Sequence, residues 1–172
     1  MNVPEKLINF RVYENGNDLI GIADVTLPKV DYMTETVKGA GIAGEIDSPV
    51  KGHYASMEVE LNWRTIDKPI ISLVSPEGKH LDLRGAMQLY DSGSSKYKVL
   101  PVKIVLRAIP KSNDLGKLDV GATTDTKTTL EVNYIKMDID GKTQLEIDKY
   151  NFIAKVGETD YLADVRDALG LN

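Results

Sequence analysis

Polar and apolar residues alternate along several stretches of this chain. In residues 54–62, YASMEVELN, Ala55, Met57, Val59 and Leu61 share one face and Ser56, Glu58, Glu60 and Asn62 share the other. A period of two predicts a half-buried β-strand, because successive side chains point to opposite faces of a sheet. Residues 81–90, LDLRGAMQLY, repeat it, with Leu81, Leu83, Met87 and Leu89 against Asp82, Arg84, Ala86 and Gln88. Residues 98–109, KVLPVKIVLRAI, set Val102, Ile104 and Leu106 against Lys103 and Arg107. DSGSSK, 91–96, supplies the turn between these two strands.

The longest such unit is DTKTTLEVNYIKMDIDGKTQLEID, residues 125–148, which predicts a β-hairpin turning at Asp140-Gly141. A first arm of about fourteen residues spans roughly 45 Å at about 3.3 Å per residue. Such an arm is expected to outreach its own domain and to find little of its own molecule to pack against. Leu130, Val132 and Tyr134 are apolar at even positions, but Ile135, Met137 and Ile139 at odd ones, and Leu145 and Ile147 keep the odd phase. A one-residue slip flips the buried face, which predicts a β-bulge or a passage between sheets at Tyr134–Ile135.

Residues 7–13 and 19–27, joined by ENGND, predict an N-terminal hairpin about Asn15-Gly16. Residues 32–47 begin strand-like and then bend at Gly39, Gly41 and Gly44. Trp63, Ile66, Ile70, Leu73 and Val74 fall at helical spacing, with Pro69 in the first turn and Pro76 as the stop. Residues 110–125 read as a long surface loop. A C-terminal helix follows, capped by Thr159 or Asp160 and ended by Gly170. Its stripe of Tyr161, Leu162, Val165, Ala168 and Leu169 is expected to pack on the body. The prediction is one mainly-β domain over residues 1–172: an antiparallel β-sandwich or barrel of seven or eight strands, with a short mid-chain helix and a C-terminal helix.

Composition narrows the function more than the fold. Aromatics are only 6% of the chain, so aliphatic side chains must fill the core. No apolar run approaches the roughly 20 residues that span a bilayer. MNVPEKLINF lacks a signal-peptide pattern, so synthesis in the cytosol is expected, with any later exit by another route. Cysteine is absent, which removes disulfides, thiolate metal sites and Cys nucleophiles together. His53 and His80 alone cannot build a usual zinc site. The net charge is −5, with acids interspersed among bases, a poor grip for nucleic acid but a surface it can slide past.

Candidate chemistry is thin. GAGIAG, 39–44, superficially resembles a nucleotide loop, but no helix pattern follows it. Asp138, Asp140, Glu146 and Asp148 lack the spacing of a calcium loop and read as a solvated hairpin face. Glu58 and Glu60 are spaced as hydrolase carboxylates can be, and equally as the outer face of any amphipathic strand. His53 reads as a turn residue and His80 as the start of a strand. Neither an enzyme nor a cofactor is expected. What stands out is surface. Ser56/Glu58/Glu60/Asn62, Asp82/Arg84/Gln88, Lys103/Arg107 and Lys127/Thr129/Glu131/Asn133 would together form one mixed-charge sheet face with a core-facing back. A regular sheet also leaves open edges that invite pairing.

Five segments, taken in order, carry a resemblance: NFRVYENGNDLIGIADVTLPK, ETVKGAGIAGEID, LEVNYIKMDIDGK, QLEIDKYNFI and DYLADVRDALGL. The chain resembles the major tail tube proteins of contractile-tailed phages, a family shared with R-type phage-tail-like bacteriocins. The resemblance implies hexameric rings stacked into a hollow conduit, with four strands per subunit joining a continuous inner β-barrel. The long hairpin would then pair with other subunits. The implied partners are the protein itself, a tail sheath protein, a tape-measure protein in the lumen, and baseplate and tube-terminator proteins. DNA would be present only in transit, and no stable membrane association is implied. Assembly in the host bacterial cytoplasm, into a virion tail or a released bacteriocin particle, is expected, with sheath contraction driving the tube through the target envelope.

In that frame Ser56, Glu58, Glu60, Asp82, Arg84, Lys103, Arg107, Lys127 and Glu131 are expected to line the lumen. Glu35, Lys38, Gly39, Gly41, Ile42, Gly44 and Glu45 are expected at the contact between rings. Asp160, Asp164, Arg166 and Asp167 are expected to face the sheath. A type VI secretion-like tube and a free-standing β-sandwich binding module are the alternatives.

Overall fold

The computed structural model describes residues 1–171. The first part of the chain supplies strands β1 (Asn2–Glu14), β2 (Asn17–Asp18), β3 (Ile22–Thr26), β4 (Tyr32–Lys38) and β5 (Glu45–Tyr54). Strand β6 (Met57–Trp63), helix α1 (Lys68–Ser72), and strands β7 (Lys79–Asp91) and β8 (Lys96–Asp114) follow. The C-terminal part holds β9 (Thr126–Ile139), β10 (Lys142–Asp148), β11 (Ile153–Val156), β12 (Thr159–Asp160) and helix α2 (Ala163–Leu169). The chain is mainly β and antiparallel with two helices, as its alternation predicts. Among the described residues, ten strands share one sheet, and β4 and β5 form a separate ribbon.

Strand β9 is the hub. Strand β8 pairs along one edge of it. On the other edge, β6 takes Thr126–Val132 and β10 takes Tyr134–Ile139. Opposite β8, Arg107 faces Tyr134 and Ala108 faces Val132, so Asn133 is an unmatched extra residue. Thr126, Thr128, Leu130 and Val132 are buried before that point and Ile135 after it. The bulge thus changes the parity of the buried positions while keeping one physical face against the core. The bulge and the change of partner coincide at Asn133.

The alternating strands deliver one core. Met57, Val59 and Leu61 of β6, Leu81 of β7, Leu106 of β8 and Leu130 and Val132 of β9 are at most 1% exposed. Each such aliphatic side chain contributes about 1.5–3 kcal/mol on burial. Trp63 closes one end of β6, its buried indole N–H donating to Thr128 Oγ1 at 3.1 Å. Helix α1 lays Ile70 and Leu73 onto the same cluster, with Asp67 as N-cap and Pro69 in its first turn.

Several expectations need correction. The N-terminal hairpin is only a stub: β1 and β2 pair at Tyr13–Asp18 and Glu14–Asn17, and β3 pairs with β6 instead. Leu19 is the cause, since it is 6% exposed and draws the chain into the core. The main partner of β1 is β7. The helix begins at Lys68, because Trp63 is held as the last residue of β6. The glycine-rich stretch is the turn of a β4–β5 hairpin, whose return strand places His53 in β5. Strand β8 continues to Asp114 through a second bulge at Lys111, so the loop begins later than residue 110. Thr159 and Asp160 form β12 against β11 and do not cap α2, whose N-cap is Leu162.

The 125–148 hairpin does not outreach its molecule. It turns at Asp140-Gly141, where both φ angles are positive, and β9 is flanked on both sides over its length. The overhang lies elsewhere. Pairing of β8 with β9 stops at Val102–Ile139, whereas β8 starts at Lys96. The β7–β8 turn and the first residues of β1 therefore form a three-stranded arm, with Val3, Leu7, Ile8, Tyr97 and Val99 exposed on it.

Candidate functional site

The face opposite the core runs across β6, β9, β8, β7 and β1 without a break. Directly opposed residues in antiparallel strands share a face. Glu58 opposes Glu131, Glu60 opposes Thr129 and Asn62 opposes Lys127. Arg84 opposes both Lys103 and Arg11, and Asp82 opposes Tyr13. Arg107 opposes His80 and Tyr134. The structure thus gathers all the expected strand residues from Ser56 to Glu131 on one solvated surface, with Met57 and Val59 behind it in the core.

This surface is compensated internally. Glu58 and Glu131, like charges placed opposite one another, would repel across the β6–β9 pair. Lys111 sits between them, bonded to Glu58 and 3.5 Å from Glu131. Hydrogen bonding to Glu58, opposed by desolvation and supported by the charges of both acids, raises the Lys111 pKa. Ser56 Oγ lies 2.8 Å from both Glu131 carboxylate oxygens. Lys127 pairs with Glu60 at 3.1 Å. Arg84 meets Asp82 at 3.1 Å and Lys103 approaches it at 3.9 Å. Arg107 stacks over the Tyr134 ring at 4.5 Å, and Arg84 over Tyr13 at 5.1 Å. The Tyr134 hydroxyl donates to Glu146 at 3.1 Å; burial, then the Glu146 charge, push its pKa up to about 12.

Lys111 is the residue that reading the sequence missed. Its signal was present, because the outward parity of Lys103 and Arg107 runs on to it, but Pro110 looked like the end of a strand. Its inclusion places a cation between the two opposed glutamates of this mixed-charge face.

The other two expected groups lie apart from this face. Glu35 and Lys38 on β4 and Glu45 on β5 flank a turn holding Gly39, Gly41, Ile42 and Gly44. The ribbon exposes Tyr32, Met33, Val37, Ile46 and Val50. On β12 and α2 the acids are partly occupied at home. Asp160 binds Arg166 at 2.6 Å, and that hydrogen bond holds its carboxyl below the usual range. Arg166 also donates to the Phe152 carbonyl at 2.7 Å. Asp164 pairs with Lys51 of β5 at 2.7 Å. The helix stripe does not pack as a whole: Leu162 is buried, but Tyr161 and Leu169 are exposed. About two turns of helix past a short strand leave too little length to cover both.

A family described as "Phage tail tube protein FII" matches residues 4–170 of this chain. The chain belongs to the phage tail tube protein family. It is a tail tube protein, as the resemblance to tubes of contractile-tailed phages implies. It is 32% identical to the tail tube protein of Escherichia phage P2, over 99% of this chain and 100% of that one. It is 29% identical to the major tail tube protein of Serratia phage KSP20, over 99% of each. In fold, this tube protein is similar to two chains from cryo-EM structures of an extracellular contractile injection system, each 14% identical. One is described as a sheath/tube terminator in the extended state, with a TM-score of 0.54 over 78% of this chain and 96% of that one. The other comes from a sheath–tube complex in the extended state, with a TM-score of 0.51 over 76% and 88%.

Proposed function

We propose that this tube protein closes into hexameric rings, stacked as the inner conduit of a contractile tail or tail-like particle, with the polar sheet face lining the channel. The observation that carries this reading is one solvated, charge-compensated face on a run of strands that ends in two open edges. Among the described residues, strand β3 pairs only with β6, and β1 is unpaired beyond β7 except at its last two residues. Exposed edges invite strand addition, and a closed barrel removes them. Two different edges joined head to tail generate a ring.

The chemistry of the face suits a passage. Arg84, Lys103, Arg107, Lys111 and Lys127 are engaged by carboxylates or aromatic rings, so few cations are left to release counterions from phosphate, and DNA or a tape-measure protein would move without being held. The β4–β5 ribbon supplies contacts between rings. Helix α2, with Tyr161 and Leu169 exposed beside its acids, supplies a sheath contact that combines apolar area with charge. Baseplate and terminator proteins would cap the stack, which is built in the bacterial cytoplasm and driven outward by the sheath.

The absence of native cysteine makes the test clean. Single E60C and K103C variants should react with both a small maleimide and a bulky polymer-maleimide as free subunits. In assembled tubes, seen by negative-stain microscopy, the small reagent should still react and the bulky one should not. Equal access of the bulky reagent in tubes would place this face outside.

A further inference from the structure

We propose that the two ends of β8 carry complementary surfaces for head-to-tail stacking: the β7–β8 arm tip of one subunit receives the 115–125 loop of a subunit in the next ring. This rests on the tube reading above and adds a contact separate from the β4–β5 ribbon. The loop presents Leu118 and Val120 at 89% and 103% exposure. It does so as a built turn. Lys117 N–H donates to the Thr124 carbonyl at 2.9 Å, Thr124 N–H to the Arg64 carbonyl at 2.9 Å, and Thr126 Oγ1 to the Leu115 carbonyl at 2.9 Å. Two aliphatic side chains held outward on a fixed loop contribute nothing to the core and suit an interface. At the other end of β8, Tyr97 and Val99 are 67% and 64% exposed.

Charge distinguishes the two surfaces. The loop carries Asp114, Asp119 and Asp125 against Lys117, and Lys117 is committed to Asp125 at 3.8 Å. Among the described residues, the Asp119 carboxylate has no partner. On the arm, Asp91 is held by Lys98 at 2.8 Å, which leaves the Lys96 ammonium without a partner among the described residues. Each surface therefore offers aliphatic area beside uncompensated charge of opposite sign: Asp114 and Asp119, neither in an ion pair among the described residues, on the loop side, and Lys96 on the arm. A strand of a closed barrel runs from rim to rim. Loop and arm tip, at opposite ends of the 19 residues of β8, then face opposite directions along the tube. Identical units that stack need two such different, mating patches.

The test uses the full chain, with ring and tube formation followed by negative-stain microscopy and sedimentation. L118S/V120S should keep the wild-type circular dichroism and melting curve, because both positions are exposed. It should form rings, but need at least tenfold more protein to form tubes. D119K should raise that concentration at low salt, and K96E in the same chain should restore it. Tubes of normal length from L118S/V120S at wild-type concentrations would overturn the proposal, as would failure of K96E to rescue D119K. Normal tubes that instead lose a purified sheath or terminator protein would also overturn it, by assigning the loop to that partner. If the wild-type chain forms neither rings nor tubes, the tube reading itself fails, which is a separate result.

Discussion

At the scale of single residues, the core depends on a few polar groups satisfied inside it. The buried indole N–H of Trp63 has Thr128 Oγ1 as its acceptor. T128V keeps the shape but removes that acceptor, and an unpaired buried donor costs about 1–3 kcal/mol. A lower urea midpoint with an unchanged slope would show it. On the outer face Lys111 separates two opposed glutamates. K111A should lower the urea midpoint at low salt, with the gap to wild type closing near 1 M salt, where the screening length falls to about 3 Å. Asp91, in the arm turn, is pulled from 3.8 to about 2, chiefly by its hydrogen bond to Lys98, then by Gly93 N–H and Ser94. A depressed carboxyl adds stability above its ordinary range, and that addition fades as pH falls from about 4 to about 2. An NMR titration should place Asp91 near the lower value and K98A should raise it.

At the scale of elements, Gly52 is the joint between the β4–β5 ribbon and α2. It has φ +70°, and a Cβ there would overlap the side chain of Leu162. G52A should therefore displace α2 and cost about 1–3 kcal/mol, as overpacking commonly does. L162A in the G52A background should recover part of that loss in thermal unfolding, although L162A alone destabilises. Nothing in the sequence marks this joint, because the contact is made by residues far apart in the chain. The same limit explains the other errors. Strands were legible wherever one face is buried, as in β6, β7 and β9, since alternation records that burial. The β4–β5 ribbon was only half legible, because it is exposed on both sides and no period is imposed. Strand β3 looked like the partner of β1 because the Asn15-Gly16 turn signal is local, whereas Leu19, buried beyond it, redirects the chain. The slip at Tyr134 was legible as a slip, but only the structure assigns the extra residue to Asn133.

At the scale of the whole molecule, one continuous polar face, two open edges and two apolar-rich extensions describe a subunit that is complete inside and unfinished outside. The polar strand residues of the proposed channel were readable from parity alone, but their mutual neutralisation was not, since Pro110 hid the continuation of β8 to Lys111. A neutralised channel predicts that assembled tubes retain little duplex DNA in a filter-binding assay at about 0.15 M salt. Tight retention would mean that the cations are not engaged as the structure places them.

The central position of β9 bears on how each subunit is made. Strand β6 is synthesised well before its neighbour: Ser56 bonds Glu131, 75 positions later. Until the ribosome delivers that segment, Met57, Val59 and Leu61 lack Leu130 and Val132, which complete their cluster. Pairings of such long sequence separation are slow to form. A cell producing tube subunits in bulk would then carry a standing pool of nascent chains with bare aliphatic strands, and chaperone supply could govern tube yield as much as the amount of message.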